Sequence, residues 1–114
     1  MANTFKLVTK ANVTSADVIY TPDSVTTVIL GLILGNTTTS QVTATVSLAS
    51  STSSRAGDNN EDNQTVELIT NTPIPAGSSL ELLGGNKVVM ENNDALSVTA
   101  TGSTDVALSI MEIS

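Results

Sequence analysis

Cysteine, histidine and tryptophan are all missing from this chain. Without cysteine there is no disulfide framework, no thiolate nucleophile and no Cys-based metal site, and the redox compartment is left open. Without histidine the most frequent general base and metal ligand is gone, and with it any Ser-His or Cys-His nucleophilic pair. The aromatic content is one Phe (Phe5) and one Tyr (Tyr20), which leaves no stacking platform for single-stranded nucleic acid. Basic residues are nearly absent: Lys6, Lys10, Arg55 and Lys87 stand against eleven acidic residues, for a net charge of −7. They form no basic patch, so neither nucleic acid nor an anionic membrane is an expected partner. Long apolar runs are missing too. The longest, Val28–Gly35, falls far short of the roughly 20 residues that span a bilayer. No stretch sustains a helical period of about 3.6. The N-terminal MANTFKLVTK lacks the charged and apolar regions of a secretory signal. The expectation is a chain made in a cytoplasm that leaves, if it leaves, by assembly into a particle.

What is present is a polar, hydroxyl-rich chain punctuated by short apolar alternations. Charged residues are only 13% of the 114, about half the usual share, so Thr, Ser and Asn must build most of the surface. The organising stretch is VILGLILG at 28–35, bounded by turn residues and read as a buried strand at about 25–35. Strict alternation places Val28, Leu30, Leu32 and Leu34 on one face, as core, and Ile29, Gly31, Ile33 and Gly35 on the other. Further strands are expected at about 4–10, 18–20, 41–49, 64–70, 79–83, 86–90, 95–101 and 105–113. The one at 41–49 alternates most cleanly, with Val42, Ala44, Val46 and Leu48 inward. A five-residue polar turn before it predicts a hairpin with the central strand. Val66 and Leu68 are read as inward, and Gly84-Gly85 as a hairpin turn. Pro73 and Pro75 keep their segment out of any central strand. The pattern predicts an all-β fold, an antiparallel β-sandwich of jelly-roll or Ig-like type with about eight short strands. A single domain over 1–114 is expected, with an exposed loop at about 50–63.

Few residues suggest chemistry. Asp58, Asn60 and Asp62 occupy the first, third and fifth positions of a calcium-loop pattern, where alternating oxygens can wrap a hard cation. The pattern then fails, because Asn63 stands where Gly is required and Ile69 where a bidentate Glu should be. A solvated loop is the simpler reading. Glu67, Glu81, Glu91 and Asp94 fall on separate strands and turns, with nothing to make them an acid–base pair. No catalytic residue, cofactor or metal is therefore assigned. Two apolar sets invite a partner instead. The Ile29, Gly31 and Ile33 face of the central strand alternates bulk with none, so it either lies under a second layer of this chain or receives another protein. Met111 and Ile113 lie opposite the inward Val106, Leu108 and Ile110 of the last strand and suit contact with a neighbouring subunit.

The segment TPIPAGSSLELLGGNKVVMENNDALSVTATGSTDVALSIMEI resembles the C-terminal half of small virion structural proteins of tailed phages, notably marine and cyanobacterial ones. The first half is similar in the same way, through Phe5-Lys6, Val18-Ile19-Tyr20, the apolar run into Asn36-Thr37-Thr38, and Val42–Leu48. The resemblance covers most of the chain outside about 51–63, and its motifs are structural. It implies a β-sandwich virion protein without enzymatic activity. The leading expectation is a capsid decoration (cement) protein, located in the virion, bound to the major capsid protein or other virion proteins, and homo-oligomeric. A tail- or fibre-associated protein with host-surface binding through the 50–63 loop is the alternative. A calcium- or glycan-binding module is a third.

Overall fold

A computed structural model describes residues 3–51, 64–83 and 87–113. They form nine strands: β1 (Asn3–Val13), β2 (Asp17–Tyr20), β3 (Thr26–Asn36), β4 (Val42–Ala49), β5 (Thr65–Ile74), β6 (Ser79–Leu82), β7 (Val88–Met90), β8 (Ala95–Ala100) and β9 (Thr104–Ile113). One sheet has the order β1-β9-β3-β6, with β7 also on β3; the other runs β2-β8-β4-β5. Every neighbouring pair is antiparallel. Among the described residues there is no helix.

The order is that of a jelly roll. β1 pairs with β9, β2 with β8, β3 with β6 and β7, and β4 with β5. These nested pairs wind up so that β9 also meets β3 and β8 also meets β4. Of the two sandwich types expected, the jelly roll is therefore the one adopted. Leu32, Leu34, Val46, Leu96, Val98, Leu108 and Ile110, all at most 1% exposed, fill the space between the sheets. Each is worth about 1.5–3 kcal/mol relative to an exposed side chain. In β4, β8 and β9 the polar residues between them face outward, and the alternation follows the sequence.

The central strand departs from it. In β3 the partners of β9 run Ile29 to Ile110 and then Gly31 to Ser109, so Leu30 is an extra residue. Such a bulge shifts the side-chain phase by one. Thr27 and Ile29 are buried before it, and Leu32, Leu34 and Asn36 after it. The expected inward stripe is thus half wrong: Val28 and Leu30 are only partly buried, and Ile29 belongs to the core. Two expected hairpins are also absent. β3 and β4 lie in different sheets, so the polar residues 37–41 make a corner between layers. β6 and β7 do not pair with each other. Both run antiparallel to β3, β6 along Leu32–Gly35 and β7 along Thr27–Ile29, as two halves of one interrupted edge strand. Gly84-Gly85 lies outside the described residues. β5 is an edge strand, which is why Pro73 can sit opposite Thr43. Its register slips between Ala44 and Ser47 of β4, and Val66 is 53% exposed, not inward.

Two polar groups hold the layers together. Asn36, 4% exposed, donates through Nδ2 to the carbonyls of Ser40 (2.8 Å) and Ile74 (2.9 Å) and accepts at Oδ1 from Thr38 N–H and Oγ1 (both 2.8 Å). It fixes the corner after β3 against β5. At the other end Tyr20 of β2 reaches across the sandwich and donates to Glu112 of β9 at 2.6 Å, with Thr27 Oγ1 2.8 Å away. Lys6 of β1 pairs with the same carboxylate at 2.8 Å.

Candidate functional site

The β1-β9-β3-β6/β7 sheet has one face in the core and one in solvent. Register determines what the solvent face carries. Phe5 of β1 lies opposite Met111 of β9, Met111 opposite Val28 of β3, and Val28 opposite Val89 of β7. An apolar row therefore crosses four strands. The next row is Leu7, Ser109 and Gly31, and the one after it Thr9, Ala107, Ile33 and Glu81. Among the described residues six large hydrophobic side chains are notably exposed, and four of them are here: Phe5 (72%), Leu7 (64%), Ile33 (45%) and Val89 (51%). Surfaces with scattered single apolar residues are ordinary, whereas clustering on one face marks a contact surface.

Small residues shape the relief. Gly31, Ala107 and Ser109 leave a shallow depression floored by backbone and rimmed by Leu7, Ile33 and Glu81. A second, beyond Ile33, runs between Thr9, Lys10, Gly35 and Asp105. No atom lies within 4 Å of where a Cβ on Gly31 would stand. The Ile/Gly half of the face, after the bulge, is therefore open to solvent among the described residues.

Of the expected partner-binding residues, Gly31, Ile33 and Met111 come together on this face. Ile113 follows Met111 at its end, half-buried and opposite Asn3 and Thr26. Ile29 does not belong with them: it is fully buried, because the bulge at Leu30 turns it inward. Phe5, Leu7, Val28 and Val89 complete the surface and were not among the expected contact residues. In β1 apolar residues occupy both parities (Phe5, Leu7 and Val8), so alternation gives no direction there. Asp58, Asn60 and Asp62 lie outside the described residues. Among the described residues no group of three His, Cys, Asp or Glu side chains could hold a metal ion.

The electrostatics concentrate at the inner side of the same sheet. Glu112, 17% exposed, is held below the usual carboxylate range by the hydrogen bond from Lys6 and then by that from the Tyr20 hydroxyl. Burial and the Glu112 carboxylate together push the Tyr20 hydroxyl up to about 12. The cluster ties β1, β9 and β2 together and leaves the outer face of the sheet without charge at its centre.

No family model matches the chain, and no curated protein matches it. Among solved structures, a chain of Bacillus endospore appendages, described as disulfide-linked pili, aligns over 96% of this chain and 85% of its own, with 13% identity and a TM-score of 0.43. A chain of the infectious bursal disease virus Gx strain aligns over 98% of this chain and 37% of its own, with 9% identity and a TM-score of 0.40. A chain of the T13 particle of IBDV covers 96% of this chain and 35% of its own, with 11% identity and a TM-score of 0.26. At these scores the likeness transfers no function; the jelly-roll assignment rests on the strand order alone.

Proposed function

We propose that this protein is a non-enzymatic structural subunit of a phage virion, a decoration protein that binds the outer capsid shell and stabilises it. The observation that carries the reading is the apolar row Phe5–Met111–Val28–Val89 with Leu7 and Ile33 on a solvent-facing sheet. The resemblance of residues 72–113 to tailed-phage structural proteins supplies the virion context. Apolar surface of this kind gains about 25 cal/mol per Å² when removed from water, less the cost of ordering the partners. Spread over many copies at subunit junctions, that gain opposes the outward pressure of packaged DNA. The acidic remainder, with net charge −7, keeps decorated particles apart.

The test is addition of the purified chain to capsids lacking it, followed by imaging and thermal challenge. Many copies on the shell and a raised disruption temperature are expected, both lost in Ile33→Asp. Binding of Ile33→Asp equal to the parent would remove this face from the reading. A second reading rests on the β4–β5 connection. Its stem is rigid: Ser50 N–H donates to Gln64 O at 2.7 Å, and Ser51 N–H to the buried Asp94 carboxylate at 3.0 Å. Residues 52–63 lie outside the described residues; the polar stretch that the sequence reads there as an exposed loop suits recognition, as in a tail- or fibre-associated protein that binds a host surface through residues 50–63. A few copies at the tail vertex, instead of many on the shell, would favour it.

A further inference from the structure

Among the described residues the two sheets have four open edges, and three of them carry devices that prevent further pairing. β2 is four residues long and slips register between Val18 and Tyr20. β5 slips register twice against β4 and contains Pro73. β6 and β7, four and three residues long, are separated by residues 83–87. Short edges, bulges, proline and interruption are the usual protections of a sheet edge.

β1 lacks all of these over most of its length. It runs in unbroken register with β9 from Asn3 to Lys10, contains no proline or glycine, and among the described residues has no strand on its other side. Lysine is the remaining protective device, and both lysines are occupied: Lys6 with Glu112 at 2.8 Å and Lys10 with Asp17 at 3.4 Å. The unpaired backbone N–H and C=O groups of β1 can be satisfied in kind by one type of ligand, an extended strand.

We infer that β1 pairs antiparallel with β1 of a second copy, about a two-fold axis perpendicular to the sheet at Leu7. Such an axis keeps equivalent faces on the same side. Charge and length then select the register, since axes at Phe5 or Thr9 also keep the lysines apart but pair a shorter stretch of the regular strand. An axis at Lys6 sets Lys6 against itself, and an axis at Val8 sets Lys6 against Lys10 of the second copy, both like-charge pairs directly opposed. An axis at Leu7 avoids this: Leu7 meets Leu7, Phe5 meets Thr9, Lys6 meets Val8, and Thr4 meets Lys10. The pairing ends where Asn3 meets Ala11, one residue into the register shift at 10–13 and before the positive φ of Asn12 (59°). The two apolar outer faces join into one. This dimer does not depend on the virion reading and leaves the outer face free to engage a shell.

Sedimentation equilibrium at concentrations up to about 1 mM, which detects even a weak pair, is the first measurement. A monomer–dimer equilibrium is expected. Leu7→Lys and Leu7→Glu, at a position 64% exposed, should each sediment as folded monomers, and their equimolar mixture should recover the dimer. Because the chain has no cysteine, Leu7→Cys introduces a single thiol. Opposed residues in an antiparallel pair are about 4.5–5.5 Å apart between Cα atoms, within disulfide reach. Oxidation should therefore link Leu7→Cys into a covalent dimer but not Ile33→Cys, two strands in on the same face. Monomer at every concentration without linkage of Leu7→Cys would overturn the proposal. So would linkage of Ile33→Cys to the same extent, which indicates face-to-face association.

Discussion

Asn36 ties together stretches of chain that share no ladder: the end of β3, the corner at Thr38 and Ser40, and the end of β5 at Ile74. Its truncation takes a donor from the buried Ile74 carbonyl, a loss worth about 1–3 kcal/mol, and removes partners from the part-buried Thr38 N–H and the Ser40 carbonyl. Asn36→Ala should lower the urea midpoint accordingly. Asn36→Asp should lower it further, since a carboxylate oxygen would then face the Ser40 and Ile74 carbonyls. Two glycines make a matched contrast. A Cβ on Gly102 would sit 2.7 Å from Val42 Cγ1, so Gly102→Ala should cost about 1–3 kcal/mol through overpacking. A Cβ on Gly31 meets nothing within 4 Å. Gly31→Val should leave the melting temperature unchanged or raised, because valine suits a strand better than glycine. Loss of capsid binding in that folded variant would then report on the outer face itself.

At the scale of elements, strand positions were legible and strand phase was not always so. β4 and β8 carry polar residues on one parity only, which marks the other as the buried side. VILGLILG carries no polar residue, so nothing in it betrays the extra residue at Leu30, and strict alternation gives the wrong phase on the β7 side of the bulge. The five-residue link between β3 and β4 fits a hairpin and a corner equally. The bonds of Asn36 to Ile74, 38 positions away, decide for the corner, and no local pattern announces them. The Lys6–Glu112–Tyr20 cluster was equally invisible, since it joins three strands from two sheets. It has a pH signature. Glu112 is depressed in the folded state, so its stabilisation is complete above its ordinary value of 4.5 and is lost as pH falls through the lower folded value. Tyr20 is raised from 10.0 to about 12, so its contribution is complete below pH 10 and is lost as pH climbs toward 12. Chemical denaturation across pH should show both limbs. Glu112→Gln should flatten the acid limb, and Tyr20→Phe the alkaline one.

Over the whole molecule, the ladders nest like brackets, β1 with β9 outermost and β4 with β5 innermost. β9 is also interior to its sheet, flanked by β1 and β3. Deleting residues 104–113 should therefore abolish the cooperative thermal transition altogether, instead of trimming an edge. Circular dichroism of the shortened chain would show it. The same nesting imposes an order in time. On a ribosome, β1 emerges before β9, and Phe5 waits for Met111, synthesised roughly a hundred residues later. Only the β4–β5 ladder is available midway, and the long closures that follow are slow. Throughout that interval Phe5 and Leu7 travel on a strand whose β9 partner has yet to be made, an apolar segment exposed to neighbouring nascent chains.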